Sequence, residues 1–297
     1  MSPPDIARPP DPPTLKGPHR PSKQETRKQP VKEPFILLRG WAANLSDPDD
    51  HVWGNDEAYL SSKGIDFFVP HYHRFGSIDE RMRSAITQIG EKYHGVRVHL
   101  VGHSLGGLVA RAIAARRDLT FTVLTVTTFG SPHRGIEYLH RLPKMDGNGW
   151  LGAILRKVFK SDCGGLSNVT PQFMEEFNEA TPNNPDVRYF SWAGQLGSDQ
   201  IKYIPVLAVI NQFHPHNDGV VGVESAMWGT HLGTVPGLSH SRIVSVDLLK
   251  QTIPHLRKAE RRYWRVRLRA GCRTFFGRLA NGLGRSCNAC HDTIMDP

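Results

Sequence analysis

Cysteine is scarce in this chain: four residues in 297, at positions 163, 272, 287 and 290. So few thiols cannot make the dense disulfide framework of a small secreted domain, and a reducing compartment, cytoplasmic or organellar, is the expectation. Long apolar runs are also missing. No stretch of about 18 apolar residues occurs, so no transmembrane helix is expected, and the first residues lack the apolar core of a secretory signal. Excess charge is missing from the middle of the chain. Residues 1–34 carry 7 Lys+Arg and 4 acids and residues 255–297 carry 10 and 3, which leaves 20 and 21 between them. The net charge of +9 therefore belongs to the ends, and a near-neutral body argues against nucleic acid as a partner, because a groove that tracks phosphates needs basic residues on the folded surface.

Large apolar residues are almost absent from 1–34, which hold ten prolines instead. Such a segment cannot bury enough surface to order itself and reads as a disordered leader. Its low acid content leaves mitochondrial import open, although the prolines would interrupt a presequence helix. From Phe35 the pattern changes. Phe35-Ile36-Leu37-Leu38 and Asp66-Phe67-Phe68-Val69 read as buried strands. Ser77 and Glu80 have capping-box spacing, and Ile78, Met82, Ile86, Ile89 and Tyr93 recur at steps of three and four, which predicts a helix over 77–93. A β-branched run, Thr122 to Phe129, and Val187 to Trp192 add strands. Strands alternating with helices predict an α/β fold with a mostly parallel central sheet covered on both faces, spanning 35–250. Between about 136 and 185 the alternation stops. An apolar stripe of Leu151, Ile154, Leu155, Val158 and Phe159 there predicts an amphipathic helix, read as a lid over an apolar cleft with a surface helix packed permanently on the body as the alternative.

The chemistry centres on Val96 to Arg111, where a strand, a sharp turn Gly102-His103-Ser104-Leu105-Gly106 and a helix follow one another. This is the pattern of a nucleophile elbow, with Ser104 lifted above the sheet edge and glycines letting strand and helix approach. A serine needs a base, and the base an orienting carboxylate. Asp218, in Asn217-Asp218-Gly219-Val220-Val221, is the candidate acid. His240 and His231 both follow it, His214 and His216 precede it, and His103 lies inside the elbow. Order along the chain does not separate His240 from His231.

Residues 35 to 249 resemble the α/β-hydrolase triacylglycerol lipases, bacterial and fungal. The resemblance rests on Gly102-His103-Ser104-Leu105-Gly106-Gly107, Gly130-Ser131-Pro132-His133-Arg134-Gly135, Tyr189 to Gly194, and Asn217 to Val221. It implies a serine hydrolase acting on lipid esters, with Ser104 as nucleophile, Asp218 as orienting acid and His240 as base. It also implies an oxyanion hole made by the backbone amides of Trp41 and Leu105, and no cofactor. Phospholipid or thioester substrates, or a non-catalytic membrane-associated scaffold, are the alternatives. Two positions depart from the family pattern. Arg39 stands where those lipases usually have histidine. Arg242 stands where the secreted bacterial members have a calcium-binding aspartate, and since a guanidinium cannot ligate a cation, no metal is expected. Arg242, or nothing, is expected to take the place of the metal, the arginine by pairing with an acid such as Asp199.

The end of the chain, 251–297, is expected to be a basic tail. Residues 255–285 carry ten Lys+Arg and one acid, with Trp264, Leu268, Cys272, Phe276, Leu279 and Leu283 at near-helical steps, a composition suited either to peripheral contact with an anionic membrane or lipid droplet or to a solvated charged end whose apolar stripe packs on the body. Cys287-Asn288-Ala289-Cys290-His291 matches a haem-attachment pattern over only five residues and is read as incidental.

Overall fold

The computed structural model describes residues 31–41, 52–73, 75–137, 167–197 and 215–282, with side chains up to 264. The leader to residue 30, the expected lid helix at 151–159, His214, Asp199 and the Cys287/Cys290 pair lie outside these residues.

Six parallel strands form one sheet in the order β2-β1-β3-β4-β5-β6. They are β1 (Phe35–Leu38), β2 (Phe67–Phe68), β3 (Arg97–His103), β4 (Thr122–Phe129), β5 (Arg188–Gln195) and β6 (Thr230–Pro236). Neighbouring strands register in parallel throughout, for example Leu38 beside Gly102 and Phe129 beside Trp192. The period of two sorts their side chains onto two cores. Ile36, Leu38, Val98 and Leu100 face α2 (Ile78–Lys92) and α3 (Leu105–Ala115). Phe35, Leu37 and Val101 face the opposite layer, where Leu60 of α1 (Gly54–Ser62) meets Leu249, Ile253 and Leu256 of α6 (Val246–Gly282). Both faces are covered, as near-continuous apolar strands require. The capping box is present: Ser77 Oγ accepts from the Glu80 N–H and Glu80 returns to the Ser77 N–H.

Packing among the described residues reaches past the expected limits of 35 and 250. Val31 is buried, and the N–H groups of Lys32 and Glu33 both donate to Glu260 Oε1 at 3.0 Å. The C-terminal boundary expected after 250 falls inside α6, whose residues Thr252, Ile253, Leu256, Ala259 and Glu260 are buried. Within the region assigned to a lid, α4 (Pro171–Ala180) packs on the body: Met174 is fully buried, and Asn178 donates to the His133 carbonyl. This helix has its own signals, Thr170 as N-cap and Pro171 at the first position. The short α5 (Val223–Ala226) completes the elements.

Candidate active site

In a parallel sheet the loops leaving the C-terminal strand ends gather at one edge, and ligands bind there. Ser104 follows β3, Gly130 follows β4, Asp218 lies in the segment after β5, and His240 lies four residues past β6. Ser104 has φ 52° and ψ −127°, and it is the one non-glycine residue with positive φ among those described. Such a conformation costs about 1–3 kcal/mol and persists only where the surroundings enforce it. Here the enforcement is close packing. A Cβ on Gly106 would sit 2.1 Å from the Leu38 carbonyl oxygen, and one on Gly102 would sit 2.5 Å from the backbone of Gly106. The Ser104 N–H is tied to the Phe129 carbonyl at 2.9 Å.

The three expected side chains meet. Ser104 Oγ lies 2.9 Å from His240 Nε2, and His240 Nδ1 lies 2.8 Å from Asp218 Oδ2. Asp218 is 1% exposed; its Oδ1 accepts from the N–H groups of Val220 and Val221 at 3.0 and 2.8 Å, which stiffens the carboxylate. The carboxylate accepts only, so Nδ1 of His240 carries the proton and Nε2 is left to accept from the serine. The acid and base loops are joined directly, since the His240 N–H donates to the Asp218 carbonyl at 2.7 Å. Gly130, at φ 57°, makes room for the pair: a Cβ there would be 2.9 Å from Asp218 Oδ2 and 3.3 Å from His240 Nδ1.

The other histidines are placed elsewhere. His231 is on β6, its Nδ1 on Ser191 Oγ and its Nε2 on Thr234 Oγ1, and burial lowers its pKa. His216 pairs with Gln195. His133 is buried, bonded to Thr128 Oγ1 and stacked on Trp228. His103 sits behind His240 with Nε2 on the His240 carbonyl.

Leu105 opens α3, where the first N–H groups have no intrahelical acceptor and the helix dipole favours negative charge. The turn carrying Trp41 closes on the same serine, because a Cβ on Gly40 would lie 2.9 Å from Ser104 Cβ. Sequence reasoning missed what holds this turn. Arg81, fully buried, donates from Nη1 to the Gly40 and Arg39 carbonyls at 3.0 and 3.3 Å and from Nε to Gly76 at 2.8 Å, and Tyr72 adds a hydroxyl bond to Arg39. A cation on the buried face of an amphipathic helix was the available signal. Arg242 is exposed, its N–H on the Ser239 carbonyl. Among the described residues no group of three or more His, Cys, Asp or Glu could hold a metal.

Known proteins share stretches of sequence and the fold with this chain. The palmitoyl protein thioesterase family profile matches residues 69–190. Triacylglycerol lipase 2 of Saccharomyces cerevisiae is 27% identical over 204 residues, covering 65% of this chain and 62% of the yeast protein. A triacylglycerol lipase of Pseudarthrobacter phenanthrenivorans is 31% identical over 150 residues, covering 47% of this chain and 41% of that lipase. The chain thus matches less than two thirds of the length of these relatives. Among solved structures, the mature Bacillus licheniformis lipase BlEst2 superposes with a TM-score of 0.59 at 23% identity, over 77% of this chain and 93% of that one. The chain has the α/β-hydrolase fold and resembles the triacylglycerol lipases.

Proposed function

We propose that this protein is a serine hydrolase that cleaves carboxylic esters of lipids, with a triacylglycerol as the favoured substrate. The observation that carries the reading is the unbroken hydrogen-bonded chain from Ser104 through His240 to Asp218 on a strained elbow. Ser104 Oγ attacks the acyl carbonyl while His240 Nε2 takes its proton, and Asp218 holds the imidazole and stabilises the imidazolium that forms. The oxyanion is received by the N–H groups of Leu105 and Trp41, each of a kind typically worth roughly 100- to 1000-fold in rate. His240 then protonates the departing alcohol and activates the water that frees the enzyme. The acylglycerol preference draws on relatives named triacylglycerol lipase.

A thioester substrate is the second reading, favoured by the palmitoyl protein thioesterase profile over 69–190. Labelling by a fluorophosphonate tests the hydrolase, and it is expected for the wild type and lost in Ser104→Ala. Release of fatty acid from a triolein emulsion, against release from a palmitoyl thioester, separates the two substrates. An unlabelled, folded wild type would leave only a scaffold.

Peripheral contact with an anionic lipid surface belongs to the same proposal, supported by ten Lys+Arg against one acid in 255–285 and by Trp264, 44% exposed beside the body. Co-sedimentation with phosphatidylserine vesicles is expected for the full chain and lost on truncation after Trp264, a cut that spares the buried Glu260.

A further inference from the structure

One buried titratable side chain at the site has no part in the reaction just described. His103, immediately before the nucleophile, is 3% exposed. Its Nε2 lies 2.9 Å from the carbonyl oxygen of His240, and the two rings lie 4.9 Å apart at 41°. A carbonyl accepts only, so Nε2 carries the proton and donates. Nδ1 finds no hydrogen-bond partner among the described residues and faces Gly40, where a Cβ would stand 3.3 Å away. One tautomer satisfies this arrangement: neutral, with the proton on Nε2.

We propose that His103 is a positioning residue for the general base: it pins the main chain of His240 through its Nε2–H and stays uncharged while His240 cycles between imidazole and imidazolium. This rests on the hydrolase reading above. Three features argue for it. The bond spans 137 residues of sequence and joins the elbow strand to the base loop directly, so the spacing of nucleophile and base no longer depends on the loop alone. The His240 main chain is then held on both sides, its N–H by Asp218 and its carbonyl by His103. Finally, the titratable groups facing the ring are His240 and Asp218, and burial together with the cation on His240 lowers the His103 pKa to about 3. A second cation beside the imidazolium would oppose the proton transfer that starts the reaction, and this environment prevents it.

The test compares His103→Gln, whose amide can still donate to the carbonyl, with His103→Leu, which fills similar space and cannot. With p-nitrophenyl butyrate, His103→Leu is expected to lose about 10- to 100-fold in kcat, the scale of a misplaced catalytic group, with KM within twofold and the acidic limb of the kcat/KM profile displaced. His103→Gln should recover to within about fivefold of wild type. Nitrogen-15 spectra of histidine-labelled Ser104→Ala protein provide a readout free of activity: one ring should remain neutral and Nε2-protonated from pH 5 to 9, and its signal should vanish in His103→Leu. Equal kcat for both variants, or a His103 signal that titrates near pH 6, would overturn the proposal. A wild type that neither labels with fluorophosphonate nor hydrolyses the ester would instead sink the hydrolase reading, and the nitrogen-15 result would still decide the state of His103.

Discussion

Gly130→Ala separates two costs that glycine usually hides together. Gly130 has φ 57°, so any L side chain there pays the left-handed penalty, about 1–2 kcal/mol. For a domain of this size that is about 2–8 °C in Tm. The added methyl would also stand 2.9 Å from Asp218 Oδ2 and 3.3 Å from His240 Nδ1, inside normal contact distance. The carboxylate must then recede by about half an ångström, and it cannot swing freely because Val220 and Val221 hold its other oxygen. His240, bonded to Oδ2 at 2.8 Å, is carried out of line with Ser104. The expected result is a fall in kcat of about 10- to 100-fold on top of the stability loss. Gly64→Ala is the control: φ is 63°, and nothing lies within 4 Å of the new methyl. It should show the same Tm loss with kcat unchanged. Steady-state hydrolysis of p-nitrophenyl butyrate below both transitions, with calorimetric Tm values, reads out the pair. If Gly130→Ala keeps wild-type kcat while its Tm falls as far as that of Gly64→Ala, the steric reasoning is wrong.

Asp218→Asn should fold, since its oxygen can still accept from Val220 and Val221. Its amide would present N–H groups to His240 Nδ1 and impose the wrong tautomer, so kcat in the same assay is expected to drop roughly 1000- to 10,000-fold. Arg81→Leu strands the Arg39, Gly40 and Gly76 carbonyls, and denaturant unfolding should show a loss of about 3 kcal/mol or more, with reduced kcat from the loosened turn at Trp41. Glu260→Gln weakens a buried acceptor shared by the Lys32 and Glu33 N–H groups and His99, costing about 1–3 kcal/mol in urea melts. Burial alone would raise the Glu260 pKa, but the hydrogen bonds from His99 and the two N–H groups outweigh it and the net shift is downward from 4.5. The folded state therefore binds that proton less readily than the unfolded chain. The stabilisation is complete above about pH 4.5 and is lost as pH falls through the folded value, so the gap between wild type and Glu260→Gln should close in acid.

Much of this site was legible in one dimension because its parts carry short-range signals. The elbow needs glycines where strand and helix backbones nearly touch, and Gly102 and Gly106 mark those contacts in the sequence itself. The Ser77 capping box and the apolar period of α2 are likewise local. β6 was not legible: Thr230 to Pro236 is half exposed along an edge and lacks a long apolar run. α1, with Gly54, Asn55 and Asp56 in its first turn, carries no clear apolar face. The packing of α6 beyond residue 250 is hard to read for a related reason, since the basic composition of 255–264 hides the apolar positions, Leu256 and Ala259, that α6 buries.

What the residues determined unaided is the alternation of buried strands and amphipathic helices, and a serine held in a turn that few side chains could adopt. That follows from local sterics and from the periods of two and 3.6. Which of His240 and His231 stands against Ser104 is a matter of tertiary structure. Both rings follow Asp218, but β6 carries His231 away to Ser191 and Thr234, while the loop after it, tied to Asp218 and His103, delivers His240 to Ser104. The support of the turn before Trp41 by Arg81, 41 residues from the Gly40 carbonyl it holds, was likewise decided in three dimensions, because a hydrogen bond between distant segments leaves no periodic trace in either of them.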